Sequence, residues 1–418
     1  MRKHLTFAAD LRPEAELLLC CARTSIESER VERIKALLKK EIDWLYLIRM
    51  MLAHGMLPLA YKWLKIACPE AIPAATMDQL RRQYEISAKR NAFMAEELVK
   101  VLTLFDRHGI IAIPFKGAAL AAYAYGDLSL RQYADLDILV KESDVFRARD
   151  LLVSRSYKPH FQLTAAEQEG YLKSGCEFVF INPESKMGIE LHWRITPRYF
   201  YFPVRMDRLW EHLYEVSLAG RMVPALPAEE LLLILCAHGS KHHWERLNWI
   251  CDIAELVRTH PGLDWEYVAQ QADALGARRM LSVGLFLASY LLGATLPEKV
   301  SQRIQADSAI EKLAASVRKQ LFRDPDGPRE ISDTPVGKEG FPIGLIHFHL
   351  MCRERLLDRI RYCLYIGSLT VTPTKKDHAF LRLPAFLSFL YYLLRPLRLA
   401  GEYGVSPFMK TLMHMLGK

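Results

Sequence analysis

The stretch PFKGAALAAYAYGDLSLRQYADLDILV, residues 114–140, places Asp135 and Asp137 in an otherwise apolar segment. The alternation in ADLDILV predicts a strand, which would turn Asp135 and Asp137 to one face and the intervening leucine to the other. Two like charges on one face of a half-buried strand repel each other, and burying them unpaired costs several kcal/mol. The sequence therefore indicates a compensating positive charge nearby, either buried arginines or a metal ion that carries a phosphate.

The segments on both sides of this strand predict a small unit of mixed α and β structure. IIAIPF (110–115) is a short β-branched run, and KGAALAAYAYG (116–126) is typical of a glycine turn that opens a helix. SDVFRARDLLVSRSY (143–157) predicts a helix with Ser143 as its N-cap. CEFVFINPESKMGIELHWRI (176–195) predicts two strands around an Asn-Pro turn. The order strand, helix, strand, helix, hairpin predicts a mixed sheet.

The whole chain, at 418 residues, is long enough for roughly two to three domains. Apolar spacings of three and four on both sides of the sheet region predict helices, so we expect an α+β fold in which a small mixed-sheet core is embedded between helical domains. The predicted divisions are an N-terminal helical cap (1–109), the α/β core (110–204), a helical domain that closes over the cleft (205–322), a linker (323–344) and a basic C-terminal helical region (345–418).

The excess of basic residues lies near the C-terminus. The net charge is +8, and from Ile346 onward there are 11 Lys and Arg against 4 Asp and Glu. Such a region suits a nucleic acid, an anionic membrane surface or a phosphorylated substrate. The eight cysteines form no CxxC motif and no signal peptide is evident, which predicts reduced thiols in a cytoplasmic protein.

One apolar segment, LPAFLSFLYYLLRPLRLAG (383–401), is a candidate for membrane contact. Its run between Arg382 and Arg395 has 12 residues, short of the roughly 20 that a spanning helix needs. Pro384 and Pro396 bracket the run as at ordinary helix boundaries. We therefore expect a soluble protein, with peripheral contact to an anionic membrane through 383–401 as the alternative.

A third carboxylate stands in the second strand of the predicted hairpin. In GIELHW (188–193) the two-residue period groups Glu190 with His192. Carboxylates from neighbouring strands make an oxygen-rich pocket of the kind that Mg²⁺ prefers when it also binds phosphates. Lys116 and Gly117 stand at a strand-to-helix turn, where backbone N–H groups and a lysine suit a triphosphate.

The ordered set of motifs resembles the nucleotidyltransferase superfamily with the polymerase-β-type fold. It resembles more closely an uncharacterised nucleotidyltransferase family of bacterial proteins with the pattern KG-x-AL, R-x-x-x-D-x-D and ELHW. In this sequence the pattern stands at 116–120, at Arg131 with Asp135 and Asp137, and at 190–193. The resemblance extends into AHGSKHHWERLNWICDIAEL (237–256) and covers roughly residues 110–256.

The resemblance implies transfer of a nucleoside monophosphate from an NTP to a hydroxyl or similar acceptor, with Mg²⁺ (or Mn²⁺) and release of pyrophosphate. It implies catalytic and metal-binding roles for Asp135, Asp137 and Glu190. The superfamily usually has serine after the turn glycine; because Ala118 stands there, Lys116 and backbone amides would hold the phosphates. The residues expected to bind the nucleotide are Lys116, Gly117, Ala118, Arg131, His192, His238, Lys241 and His242.

Plainer interpretations of the same residues remain open. Asp135 and Asp137 could form a salt-bridged edge with Arg131 as partner, Glu190 could face solvent, and His192 could be a hydrogen-bonded support. A basic stretch, RERLLDRIRY (353–362), is typical of a solvated helix face. A zinc site is a further alternative for one cluster, although it has no H-E-x-x-H motif and no finger spacing: Cys236, His238, His242, His243 and Cys251.

Two rival functions follow from these patterns. The chain could be a non-catalytic binding module for a peptide or glycan that kept the nucleotidyltransferase fold. It could also be an RNA-terminal nucleotidyltransferase, which the basic tail favours, although no RNA-binding module is recognisable and nucleic acid is therefore not the expected partner. The acceptor could be a small molecule, a peptide, a sugar or a protein.

Overall fold

The computed structural model describes residues 11–161, 163–323, 343–372, 380–381 and 385–403. Its helices are α1 (Pro13–Cys21), α2 (Ser28–Leu38), α3 (Trp44–Ala53), α4 (Leu57–Ala67), α5 (Ala74–Arg107), α6 (Gly117–Leu120), α7 (Val145–Ser154), α8 (Ala165–Ser174), α9 (Met206–Leu209), α10 (Ala228–Lys241), α11 (Leu247–Thr259), α12 (Trp265–Leu275), α13 (Arg278–Leu292), α14 (Glu298–Ala306), α15 (Ala309–Leu321), α16 (Ile343–Cys352), α17 (Leu356–Val371) and α18 (Tyr391–Tyr403). Shorter 3₁₀ or π turns are Pro69–Ala71, Ala121–Tyr125, Glu142–Asp144 and Ala385–Leu390. The strands are β1 (Ala112–Pro114), β2 (Asp135–Val140), β3 (Lys158–Pro159), β4 (Glu177–Ile181), β5 (Gly188–His192), β6 (Tyr214–Leu218) and β7 (Arg221–Ala225).

The strands form one five-stranded mixed sheet and one separate hairpin. The order in the sheet is β1-β2-β5-β4-β3, and β6 pairs with β7. Strand β2 is antiparallel to β1 and parallel to β5, and β5 is antiparallel to β4. Helices precede and follow the sheet along the chain, so the predicted α+β class with a small mixed sheet between helical segments is confirmed.

The two faces of the sheet pack into different apolar cores. Leu136, Ile138 and Val140 alternate along β2 and join a core with residues of α5 and α7. Leu139 points the other way, into the larger core that contains residues of α10 and α11. Asp135 and Asp137 share the parity of Leu139, so the period of two turns both carboxylates toward the face that the helices after the sheet approach.

The turn between β1 and α6 depends on a glycine. Gly117 has a φ of +53°, and a Cβ added there would lie 3.0 Å from the backbone oxygen of Asp135. A left-handed backbone is strained for other residues, and the close approach leaves little room for a side chain. Gly117 therefore lets the chain turn directly against β2, and it sets the position of the preceding Lys116.

Three details differ from the sequence predictions. Helix α7 begins at Val145 after a 3₁₀ turn, with Asp144 and not Ser143 at the N-cap and no side-chain cap. The β6–β7 hairpin was not predicted; its turn residues Ala219 and Gly220 both have positive φ, as such tight turns require. Pro396 lies inside α18 and does not end a helix.

The C-terminal predictions are only partly covered by the described residues. Nearly all of the predicted linker 323–344 lies outside them, as do parts of the basic region 345–418. Within the described ranges no helix is long and apolar enough to cross a membrane.

The Gly117 turn generates a stability prediction. Gly117→Ala should lower the free energy of unfolding by about 1–3 kcal/mol, because alanine must adopt a left-handed backbone and crowd the backbone oxygen of Asp135. Gly170→Ala is the matched control: Gly170 lies within α8 with open space around it, so alanine should be neutral or add about 0.5–1 kcal/mol. Urea unfolding of both variants measures the difference. Equal stability of Gly117→Ala and the parent chain would contradict this account of the turn.

Candidate active site

The register of three strands gathers acidic side chains on one face of the sheet. Asp137 of β2 stands beside Glu190 of β5, and His192 of β5 stands opposite Glu177 of β4. Asp135 lies one step earlier on the same face, beside Gly188. Because paired residues on neighbouring strands project to the same side, the register alone brings these groups together.

A lysine and a histidine contact the most buried of these carboxylates. Lys116 Nζ lies 2.5 Å from Asp137 Oδ1, and both side chains are almost fully buried. His192 Nε2 lies 3.3 Å from Asp137 Oδ1 and 3.3 Å from Glu190 Oε2, while its Nδ1 lies 3.4 Å from Glu177 Oε2. His192 thus occupies the centre of an array of three carboxylates.

The electrostatics follow from this geometry. Burial alone would raise the pKa of Asp137, but Lys116 and His192 hold it below its ordinary value. Burial would lower the pKa of Lys116, yet Asp137 and then Glu190 raise it. Burial would also lower the pKa of His192, and its contacts with Asp137, Cys176 and Glu190 raise it. In the absence of a metal, the compensating charges are those of a lysine and an imidazolium.

Asp135 has no such direct contact, and the more distant charges of Lys116 and Arg131 offset its burial only in part. Burial, together with the charges of Asp137 and Glu190, raises the pKa of Asp135 to about 6. Within the part of the chain that the structure describes, its carboxylate has no hydrogen bond and no ion pair. A carboxylate that is crowded by two others and lacks a partner of its own is suited to a cation from solution.

Arg131 has a different partner from the one that the salt-bridge interpretation gave it. Its guanidinium makes a two-pronged contact with Asp252 of α11, with Nε–Oδ1 and Nη2–Oδ2 distances of 2.8 Å, and Nη1 donates to the backbone oxygen of Gly117 at 3.4 Å. The hydroxyl of Tyr125 also donates to Asp252, at 2.7 Å. Through these hydrogen bonds the buried Arg131 links the Gly117 turn to α11. Its positive charge also acts on Asp135 and Asp137.

The C-terminal end of α10 approaches the same face of the sheet. Burial, then the charge of Lys116, keeps the pKa of His238 well below its ordinary value, and burial, then Lys241, lowers that of His242 to about 3. The charge of Lys241 in turn helps to lower the pKa of Glu177. The structure therefore places two half-buried imidazoles within electrostatic reach of Lys116, and a half-buried lysine within reach of Glu177.

The structure bears on two expectations from the sequence: the role of Ala118 in phosphate binding, and the alternative zinc site around His238 and His242. The side chain of Ala118 is fully buried in the core beneath the sheet, so only its backbone can reach a phosphate. In the zinc alternative, the rings of His238 and His242 are 4.8 Å apart, but Cys236 packs at Gly284 and the Cys251 thiol donates to the backbone oxygen of Ala22. Among the described residues no third ligand joins those two histidines.

Glu177 and Cys176 belong to the array and were missed from sequence. Glu177 faces His192 across the β4–β5 hairpin, and Cys176 immediately precedes the strand. The sequence contained a signal for Glu177, because it predicts the β4–β5 hairpin. Pairing the two strands outward from the Asn-Pro turn places Glu177 opposite His192. The register across the turn had not been assigned, and a shift of one residue would have put Glu177 on the other face.

The carboxylates on this face are oxygen donors of the type that a hard divalent cation takes, but among the described residues the ligand atoms that lie within 4.8 Å of one another are those of Asp137, Glu190 and His192, without Asp135. Asp135, Asp137 and Glu190 offer carboxylate oxygens on one face, Asp135 lacks a partner, and the side chain of Glu190 is 24% exposed. Mg²⁺ prefers such oxygen ligands, with waters and phosphates completing its coordination. The ammonium of Lys116 now neutralises Asp137, and a cation at this place would share that carboxylate with it.

Comparison with known proteins places the chain in a family. Residues 40–293 match the model of a family described as uncharacterised nucleotidyltransferase. The match spans more than half of the chain and includes the KG-x-AL, R-x-x-x-D-x-D and ELHW motifs, so the chain belongs to this nucleotidyltransferase family. Neither the curated proteins nor the solved structures contain a significant match.

The two aspartates should affect stability in opposite directions. The folded-state pKa of Asp135 is raised, so its ionisation costs stability once the pH exceeds the unfolded value, and the full cost is reached above about pH 6. In metal-free buffer at about pH 8, Asp135→Asn should raise the free energy of unfolding by about 1–3 kcal/mol, and this gain should vanish toward about pH 4. Asp137→Asn should lower it by about 3–5 kcal/mol, because Lys116 loses its buried partner.

Urea unfolding in the presence of a chelator, at three or four pH values, measures both effects. Asp150→Asn on the exposed side of α7 serves as control and should change the stability by no more than about 0.5 kcal/mol. A loss of stability in Asp135→Asn at neutral pH would show that its carboxylate has a compensating partner after all.

Proposed function

We propose that this chain is a nucleotidyltransferase of the polymerase-β type, as in bacterial members of its family, which transfers a nucleoside monophosphate from an NTP to a hydroxyl or similar acceptor and releases pyrophosphate. The observation that carries the proposal is the partnerless Asp135 beside Asp137 and Glu190. Maintaining that arrangement costs stability, and a catalytic cation explains why the cost is tolerated.

Asp135, Asp137 and Glu190 would hold Mg²⁺, with Mn²⁺ as a substitute. The ion would stabilise negative charge on the attacking and leaving oxygens and help to position the triphosphate. Gly117 lets the chain turn directly against Asp135 of β2, so the backbone of the turn lies next to these ligands, where phosphates would bind.

Lys116 holds the phosphates of the NTP. Its ammonium is anchored by Asp137, so it is charged and already oriented toward the carboxylate face. A phosphate oxygen that approaches this ammonium needs no rearrangement of the backbone, and such preorganisation is what makes a fixed charge effective in phosphoryl chemistry. Arg131 supports the same turn from behind through the backbone oxygen of Gly117.

Glu190 serves the acceptor side of the site. Its side chain is partly exposed, unlike that of Asp137, and it faces the space where an acceptor hydroxyl would arrive. We assign it either to complete the metal ligands or to take the proton of that hydroxyl. His238, Lys241 and His242 of α10 close the nucleotide side, where neutral imidazoles can hydrogen-bond to ribose or base without repelling Lys116.

Loss of either aspartate should abolish transfer. Asp135→Asn and Asp137→Asn should each reduce Mg²⁺-dependent pyrophosphate release by about 10³-fold or more, because several kcal/mol of charge stabilisation is lost. The assay offers labelled ATP, CTP, GTP and UTP in turn, with and without RNA. Circular dichroism checks that each variant is folded, and Asp150→Asn should retain full activity.

The outcomes separate the rival functions. Activity that survives in both aspartate variants would remove the assignment of Asp135 and Asp137. Nucleotide binding in a thermal shift assay without any turnover would favour the binding module. Labelling only when RNA is present would favour the RNA-terminal transferase.

A further inference from the structure

A second group of metal-ligating atoms lies on the opposite side of His192 from Asp137. The Cys176 Sγ, a Glu177 carboxylate oxygen and a His192 ring nitrogen lie within 4.8 Å of one another. The Cys176 thiol lies 3.3 Å from Glu177 Oε2, and His192 Nδ1 lies 3.4 Å from the same oxygen. The hairpin register creates the group, because Glu177 is the direct cross-strand partner of His192.

The ligand types in this group differ from those of the carboxylate site. A thiolate and an imidazole are the ligands that select zinc and related transition metals, whereas Mg²⁺ takes oxygen ligands almost exclusively. One cysteine, one histidine and one glutamate make three protein ligands for a tetrahedral ion, with the fourth position left for water. The partial exposure of Glu177, at 25%, gives an ion a route from solvent.

His192 supplies an independent observation. Its side chain is only 3% exposed, and neither ring nitrogen forms a well-aligned hydrogen bond. A buried histidine rarely has both ring nitrogens without a well-aligned hydrogen bond. Nδ1 is directed toward Glu177, and Nε2 lies near Asp137 and Glu190. When a histidine binds a metal through one nitrogen, the other nitrogen commonly donates to a carboxylate, and the contacts of His192 match that arrangement.

We propose that Cys176, Glu177 and His192 bind a zinc-class ion through Sγ, a carboxylate oxygen and Nδ1. The ion fixes His192 in the tautomer whose Nε2–H is directed at Asp137 and Glu190. It thereby orients two of the carboxylates on the catalytic side, so His192 is a positioning residue. The neighbouring charge of Lys241 favours the anionic forms of Cys176 and Glu177.

Metal binding would change the protonation state of two of these ligands. Burial raises the pKa of Cys176, so the metal-free protein holds it as a neutral thiol. Coordination displaces the thiol proton of Cys176 and the Nδ1 proton of the His192 imidazolium, so two protons are released to solvent for each ion bound, and a thiolate and a neutral imidazole remain on the ion. No oxidant or reductant takes part in the exchange.

The proposal is tested by metal binding to the full chain, without any activity assay. Protein stripped with a chelator and dialysed against Zn²⁺ should retain one ion per chain. Replacement by Co²⁺ should give the sulfur-to-cobalt charge-transfer band and the d–d bands of a tetrahedral site. Excess Mg²⁺ should not remove the charge-transfer band, because Mg²⁺ has little affinity for thiolates.

Variants identify the ligands. Cys176→Ser should abolish the charge-transfer band, and Glu177→Gln should weaken Co²⁺ binding by about tenfold or more. Cys363→Ser is the matched control, since Cys363 is a partly exposed thiol on α17 outside the group, and it should leave the spectrum unchanged. Circular dichroism verifies that each variant is folded.

Two results would overturn the proposal: no charge-transfer band in the parent chain, or the same band in Cys176→Ser. Asp135→Asn separates this proposal from the proposed function. It should lose pyrophosphate release and keep the cobalt band, because Asp135 is not a ligand of this ion. A parent chain that transfers nucleotides but shows no cobalt band would refute the second metal alone.

Discussion

Repulsion among four carboxylates on one face of the sheet is the constraint on which the local structure depends. Asp135, Asp137, Glu190 and Glu177 come from three strands whose register is fixed by the apolar residues of the other face. A slip of one residue in any strand would bury its acids in the core, which would cost far more than their mutual repulsion. The acids are therefore held together by packing elsewhere, and the local structure must supply positive charge. Lys116 supplies it, and it can do so because the glycine after it allows the chain to turn against β2.

The compensation is incomplete, and its incompleteness is informative. Asp137 is in contact with a lysine and a histidine. Asp135 contacts neither of them, although it lies only two residues before Asp137 on the same strand. A purely structural ion-pair network would gain stability by replacing Asp135 with a neutral residue. Retaining a carboxylate there makes sense if a cation occupies the site during function, because the same charge that destabilises the free protein attracts the ion. The two aspartates therefore differ: Lys116 compensates Asp137, and under the proposed function a cation would compensate Asp135.

Local periodicity was sufficient to predict the sheet and the face that carries its acids. Asp135, Asp137 and Glu190 follow from the period of two in β2 and β5, and Lys116 follows from its place before the turn glycine. The partner of Arg131 could not be predicted in this way, since Asp252 lies 121 residues further along the chain and meets it only through the packing of α11. The β6–β7 hairpin was missed because Ala219-Gly220 is a weaker turn signal than the Asn-Gly pair that is typical of such turns. Glu177 was missed because hairpin register depends on the geometry of the turn, which composition leaves open.

His192 connects the two halves of this array. Its ring contacts both Asp137 and Glu177, so the orientation of the ring affects the acids on either side. As a doubly protonated imidazolium it would only add positive charge and so weaken the attraction of the carboxylates for a cation. As a neutral ring held through Nδ1, it would donate one hydrogen bond to the catalytic side without adding charge there. The protonation state of this histidine therefore affects how strongly Asp137 and Glu190 attract a cation, and that state depends on acidic contacts on both sides of the ring, with Asp137, Cys176 and Glu190 raising its pKa most.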